Sequence, residues 1–216
     1  MSTPGLAWPL LAAFGLASLV LAATPGPGVL YIVARTLSQG RRAGLASVAG
    51  VALGNFGNAL GASLGVAALL AVSTLAFNIV KFAGAAYLIY LGIKALRASQ
   101  APEAGVAAPI ATPLRKILRD GFVVALLNPK TALFFAAFLP QFIDPLASAA
   151  PQSVLFGVAF VAIAACTDTG YVLAASMAAP ALGGLKRAST AGRCVTAAIY
   201  IGLGLFTATS GTRGAK

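Results

Sequence analysis

The chain has no histidine among its 216 residues, four acidic side chains, and only 9% charged residues in all. Without histidine it lacks the side chain that most often relays protons near neutral pH and binds transition metals. A single carboxylate, Asp168, lies well inside an apolar run, so the usual set of metal ligands is missing, and neither a metal nor a cofactor is expected. No Gly-x4-Gly-Lys-Ser/Thr loop occurs, which leaves nothing to suggest ATP hydrolysis, and no enzymatic activity is expected. The two cysteines, Cys166 and Cys194, form no Cys-x-x-Cys motif and read as small apolar residues, with an intramembrane redox pair as the sharper alternative. No Lys or Arg precedes Arg35, so residues 1–24 lack the basic segment of a secretory signal, and cleavage near Leu21-Ala22-Ala23 is not expected.

What remains is apolar. Hydrophobic residues make up 59% of the chain and the mean hydropathy is +0.92, whereas a soluble domain carries about 25% charged residues. The net charge of +11 would point to nucleic acid on a soluble protein; here the basic residues sit between long apolar runs, and no nucleic acid is expected. Six runs approach the roughly 20 residues that a bilayer span needs: Leu6–Val33, Gly44–Val72, Ile79–Leu96, Gly121–Ile143, Val154–Met177 and Cys194–Ser210.

Alternate loops carry the positive charge: Arg35, Arg41 and Arg42; then Lys94, Arg97, Arg115, Lys116 and Arg119; then Lys186, Arg187 and Arg193. The other side has Lys81, Arg213 and Lys216. By the positive-inside rule these basic loops are cytoplasmic and both termini lie outside. The segment Ala98 to Asp120, with Pro102, Pro109 and Pro113, reads as a cytoplasmic linker. It separates a first three-helix half (1–97) from a second (121–216).

The first run holds Thr24-Pro25-Gly26-Pro27-Gly28, two prolines where a membrane helix should continue. Laying "ATPGPGVLYIVARTL" (23–37) over "LNPKTALFFAAFLPQ" (127–141) pairs Thr24-Pro25 with Asn128-Pro129. Three spans per half is an odd number, so the halves would be inverted in the bilayer, each with its first helix broken at proline, as in many secondary transporters. The expected fold is therefore an all-α integral membrane protein of six helices in two inverted repeats. A helix restarting near Gly28 would aim free N–H groups into the membrane, suited to a carboxylate, and a second such site would follow Pro129. A plain proline kink without a ligand is the alternative, and it is favoured for Pro129 taken alone.

Few strongly polar groups lie within the spans: Asn55, Asn58, Asn128, Lys130 and Asp168. Lys130 and Asp168 both fall about 15–17 Å from the cytoplasmic end at 1.5 Å per residue. They could form an ion pair that only locks helices, or each hold one end of a zwitterion. Asp168 is the one obvious carboxyl for carrying a proton. Asn55 and Asn58 share a helix face, and hydrogen bonding to a neighbouring helix is as good a reading as ligand binding. Glycines at 50, 54, 57, 61 and 65 give the second span a smooth face, suited to packing within the chain or between two copies in a homodimer.

With "TPGPG" followed by "TLSQGRRAGLASVAGVALGN", then "KFAGAAYLIYLGIKALR" and "GFVVALLNPKTALFFAAFLPQF", the chain resembles the LysE/RhtB family of amino-acid exporters. The resemblance implies a six-span bacterial inner-membrane protein that exports amino acids or related metabolites on the proton gradient. The Thr-Pro-Gly-Pro form is similar to the homoserine and threonine branch. Two departures bear on coupling and substrate. Asn55 stands where many members carry an acidic residue, and Asp168 lies one turn beyond the family's usual aspartate, near Ala164. The expected substrate site is Thr24, Pro25, Gly26, Pro27, Gly28, Asn55, Asn128, Pro129 and Lys130, with Asp168 coupling to protons. Export of a metal ion or drug, and a membrane thiol-redox role, are the rival readings.

Overall fold

A computed structural model describes residues 8–63, 73–97, 112–144, 147–182 and 188–209. Eight α-helices are described: α1 (Trp8–Ala23), α2 (Pro27–Gln39), α3 (Arg41–Ser63), α4 (Thr74–Arg97), α5 (Leu114–Leu126), α6 (Pro129–Ala137), α7 (Ala149–Ala178) and α8 (Ala188–Thr209), with short 3₁₀ turns at Leu139–Phe142 and Ala179–Leu182. Most of the expected linker, with Pro102 and Pro109, lies outside the described residues, as do Leu6, Val72, Lys186, Arg187, Ser210, Arg213 and Lys216.

Helices α3, α4 and α7 are long and apolar enough to cross a membrane. The pairs α1–α2 and α5–α6 each qualify as one span bent by 49°. That makes up to five spans, and the apolar part of α8, Ala197–Thr209, is shorter. Large apolar side chains such as Leu16, Leu75, Leu155, Met177 and Phe206 face outward, while Asn55, Asn128, Thr131 and Asp168 are buried. Polar groups inside and apolar groups outside is the arrangement a lipid solvent demands.

Two expected boundaries move. Helix α5 begins at Leu114, within the segment read as linker, because the charges of Arg115, Lys116, Arg119 and Asp120 mask an amphipathic first turn whose Ile117 is fully buried. Helix α4 begins at Thr74, so Lys81 is not an outer loop residue. It lies two turns inside the helix, 1% exposed, its Nζ 5.2 Å from the centre of the Phe82 ring and without a hydrogen-bond partner.

Arg41 and Arg42 at the start of α3, Lys94 and Arg97 in the last turn of α4, and Arg115 and Lys116 in the first turn of α5 stand at one end of the bundle. There Gln39 Oε1 accepts from the Thr112 amide at 3.1 Å, joining the end of α2 to the start of α5. Toward this end a core forms around Tyr31, Ile32, Val48, Ile117 and Tyr200. Toward the other end, Phe14, Phe134, Phe135, Phe142, Phe156 and Phe160 make an aromatic cluster with edge and tilted contacts. Helix α3 binds α5 closely: Cβ atoms added at Gly50 or Gly54 would strike the carbonyl of Leu118 or Phe122. The small-residue face of α3 is thus used within one protomer.

Candidate functional site

Each bent span is a proline problem solved by the other half of the chain. Proline has no N–H, so the carbonyl four residues earlier loses its helical donor. Pro25 would have served Leu21, and Pro27 would have served Ala23. Lys130 Nζ donates instead to Leu21 O at 2.8 Å and to Thr24 O at 2.5 Å. Tyr171 Oη donates to Ala23 O at 2.7 Å. Both donors come from the second half. In the second half, Pro129 deprives Ala125 O, which accepts from Asn58 Nδ2 of α3 at 2.9 Å and from the Asn128 amide at 3.1 Å. Buried backbone groups require partners, and here side chains crossing between the halves supply them.

The helices restart cleanly. Pro27 and Pro129 each occupy the first turn of the new helix, where a missing N–H costs nothing. Hence Gly26-Pro27, rather than Thr24-Pro25, stands where Asn128-Pro129 stands; Pro25 belongs to the connection. Asn128 Oδ1 caps α6 by accepting from the Lys130 amide at 3.1 Å, and its Nδ2 donates to Thr131 Oγ1 at 3.2 Å. Gly26 lies under the Lys130 stem: an added Cβ would come within 3.3 Å of Cδ.

The two breaks share one cavity of about 40 Å³. From the first half Thr24, Gly26, Gly28 and Asn55 line it; from the second, Asn128, Lys130 and Asp168. Pro25, Pro27 and Pro129 shape the breaks without lining it. At about 10–15 Å³ per water, it accommodates a few waters. Asp168 is 5% exposed and makes no ion pair with Lys130. Lys130 is engaged by backbone carbonyls, so the two opposite charges face one cavity unpaired with each other. Asn55 is also buried, with Oδ1 unpartnered, whereas Asn58 is spent on Ala125 O. Leu21, Ala22, Val29, Val51, Thr131, Phe160 and Ala164 complete the lining. They were missed because small, aliphatic and aromatic residues are indistinguishable from packing in an apolar sequence. Tyr171 was missed as a donor, although a tyrosine one turn beyond Asp168 was the available signal.

Cys166 and Cys194 are free, exposed and outside the cavity lining. Among the described residues no group of three His, Cys, Asp or Glu side chains is placed to hold a metal ion.

The chain is 35% identical over 175 residues to a homoserine/homoserine lactone efflux protein of Salmonella typhimurium, covering 81% of this chain and 84% of that one. It is 29% identical over 185 residues to a leucine efflux protein of Salmonella choleraesuis, covering 82% and 84%. It is 34% identical over 164 residues to a membrane protein of Vibrio cholerae, covering 76% and 80%. No solved structure matches. The family model of LysE type translocators matches residues 19–211, through both breaks and every residue lining the cavity, and the chain belongs to that family.

Proposed function

We propose that the chain is a secondary active exporter of amino acids, neutral ones of the homoserine and threonine class foremost, driven by protons across a bacterial inner membrane. The observation that carries this reading is the cavity where the two helix breaks meet, with a cation and a carboxylate facing it unpaired. A zwitterion fits such a site. Its carboxylate would approach the free N–H groups at the start of α2, between Gly26 and Val29, under the field of Lys130. Its ammonium would lie toward Asp168 and the unpartnered Oδ1 of Asn55. Asp168 would take up a proton when the substrate leaves, which couples the two fluxes. The efflux relatives support an amino acid over a metal or drug.

The architecture in this reading is six spans in two inverted repeats, with both termini outside. The equal 49° bends of α1–α2 and α5–α6 support the repeat. So does the reciprocal supply of donors to each break. The gathering of Arg41, Arg42, Lys94, Arg97 and Arg115 supports a cytoplasmic location for that end of the bundle. In this reading the two halves move apart and together as the solute is loaded and released. The test is efflux from cells overexpressing the chain and preloaded with mixed amino acids, with and without an uncoupler. Accelerated loss of a neutral amino acid, abolished by the uncoupler, is the expected result; unchanged efflux of every amino acid refutes it.

A further inference from the structure

Between the cavity and the basic end of the bundle lies a polar network that the substrate site does not use. Its centre is Asp120 of α5, 1% exposed. Arg35 Nη2 of α2 donates to Asp120 Oδ2 at 3.2 Å, and Tyr87 Oη of α4 donates to Oδ1 at 3.1 Å. Arg119 Nη2 reaches Oδ1 at 3.5 Å from an exposed side chain. Beside it, Tyr31 Oη of α2 donates to Ile117 O of α5 at 2.7 Å, and Tyr200 Oη of α8 donates to Tyr31 O at 3.4 Å. The two tyrosine rings stack at 5.8 Å, with the Arg35 guanidinium 5.4 Å from the centre of the Tyr31 ring.

Three features distinguish this network from ordinary packing. First, the contacts of Arg35 and Tyr87 with Asp120, and those of Tyr31 and Tyr200, all join one half of the chain to the other. Second, it lies across the route to the cavity. Arg35 is seven residues beyond Gly28 and Asp120 eight before Asn128, about 10–12 Å toward the basic end on both bent spans. Third, it is incompletely satisfied: Arg35 Nε is buried with no partner. Buried polar groups are paired as a rule, and Lys81 Nζ is the one other buried cationic donor left without a partner among the described residues. Phe160 belongs both to the cavity lining and to the phenylalanine cluster, which is built of apolar contacts.

We infer that Arg35, Asp120 and Tyr87 form the gate on the basic side of the cavity, closed in this structure and opened by separation of the two halves. The inference rests on the reading of the cavity as the transport site. Closed, the ion pair is shielded from water and holds α2 and α4 of the first half to α5 of the second. Opened, water solvates both charges and reaches Arg35 Nε, which offsets the lost contacts. The closed and open states therefore stay close in free energy, as a gate requires.

Thiol labelling tests this without any transported substrate. Ala164 lines the cavity and is 4% exposed, so Ala164→Cys in a full-length chain carrying Cys166→Ser and Cys194→Ser reports access to it. A membrane-impermeant maleimide is applied to inside-out membrane vesicles and, separately, to intact spheroplasts. Asp120→Asn, which removes the charge and keeps the shape, is expected to raise labelling from the cytoplasmic face at least tenfold while leaving labelling from the other face at the parent rate. Tyr87→Phe, which removes one hydroxyl, is expected to raise it severalfold and keeps the test valid should Asp120→Asn fail to fold. Parent-rate labelling of either folded variant, or an equal rise from both faces, overturns the gate. If the chain moved no amino acid, the labelling result would still stand or fall by itself.

Discussion

Lys130→Met tests whether the ammonium at the meeting of the two helix breaks serves the backbone before it serves any ligand. Methionine keeps an unbranched apolar stem in the place of the lysine stem and removes the ammonium alone. The loss is two charge-assisted bonds, to Leu21 O at 2.8 Å and Thr24 O at 2.5 Å. Such bonds contribute about 1.5–3 kcal/mol each when buried. Lys130 is only half-buried and water can replace part of the interaction, so the sum falls near the lower end, about 2–3 kcal/mol. For a chain of this size that lowers the apparent Tm by roughly 4–12 °C. The assay is thermal unfolding of the detergent-solubilised protein without amino acid, followed by size-exclusion with fluorescence detection. Lys130→Arg retains the charge and serves as the control, with a smaller decrease expected. A purely ligand-binding lysine would leave the empty protein unchanged and raise KM for efflux. A Tm for Lys130→Met within about 1 °C of the parent, under about half a kcal/mol, would therefore refute the role assigned to its two carbonyl bonds.

Asp168→Asn should abolish accumulation driven by an imposed pH gradient yet preserve exchange of labelled for unlabelled amino acid; gradient-driven transport at the parent rate would remove Asp168 from proton coupling. The two asparagines of α3 should separate. Asn58→Ala orphans part of Ala125 O and is expected to cost about 1–3 kcal/mol of stability, whereas Asn55→Ala should raise KM with little change in Tm; equal Tm losses would contradict the assignment. Gly54→Ala drives a Cβ to 2.7 Å from Ala125 Cβ and 3.0 Å from Leu126 N. Neither backbone can retreat without parting α3 from α5, so a loss of about 1–3 kcal/mol or more is expected, read as reduced yield of monodisperse protein.

Much of the fold was legible because a bilayer imposes one-dimensional rules. Apolar run length located all three unbroken candidate spans, and the prolines located both bends to within two residues. What failed were the places where charge or polarity sits on a helix rather than in a loop. Arg115, Lys116, Arg119 and Asp120 resembled a linker, yet they open α5. Lys81 resembled an outer loop residue, yet the helix had begun seven residues earlier. Hydropathy averages over a window and cannot see that a charged turn has one buried face.

The candidate site was legible for a different reason. Glycine, proline, asparagine and the two ionisable groups stand out against an apolar background, and seven of the ten expected site residues line one cavity. Their partners were not legible. Lys130 and Asp168 invite pairing on paper because opposite charges at one depth attract. Breaking the helix changes the competition, since each proline creates an acceptor that did not exist in the intact ladder. The carbonyl of Leu21 loses its i+4 donor because Pro25 has no N–H and keeps only a long bond from the Thr24 amide at 3.3 Å, and the carbonyl of Ala23 loses its i+4 donor because Pro27 has none. Those acceptors are fixed in space at the break, and a lysine and a tyrosine from the opposite half meet them. The consequence is mechanical as well as electrostatic. A movement of the second half that shifts Lys130 and Tyr171 must release the end of α1, and a ligand that competes for the Lys130 ammonium does the same. On the proposed function, substrate binding and movement of the halves would be linked through five atoms: Lys130 Nζ, Tyr171 Oη, and the oxygens of Leu21, Ala23 and Thr24.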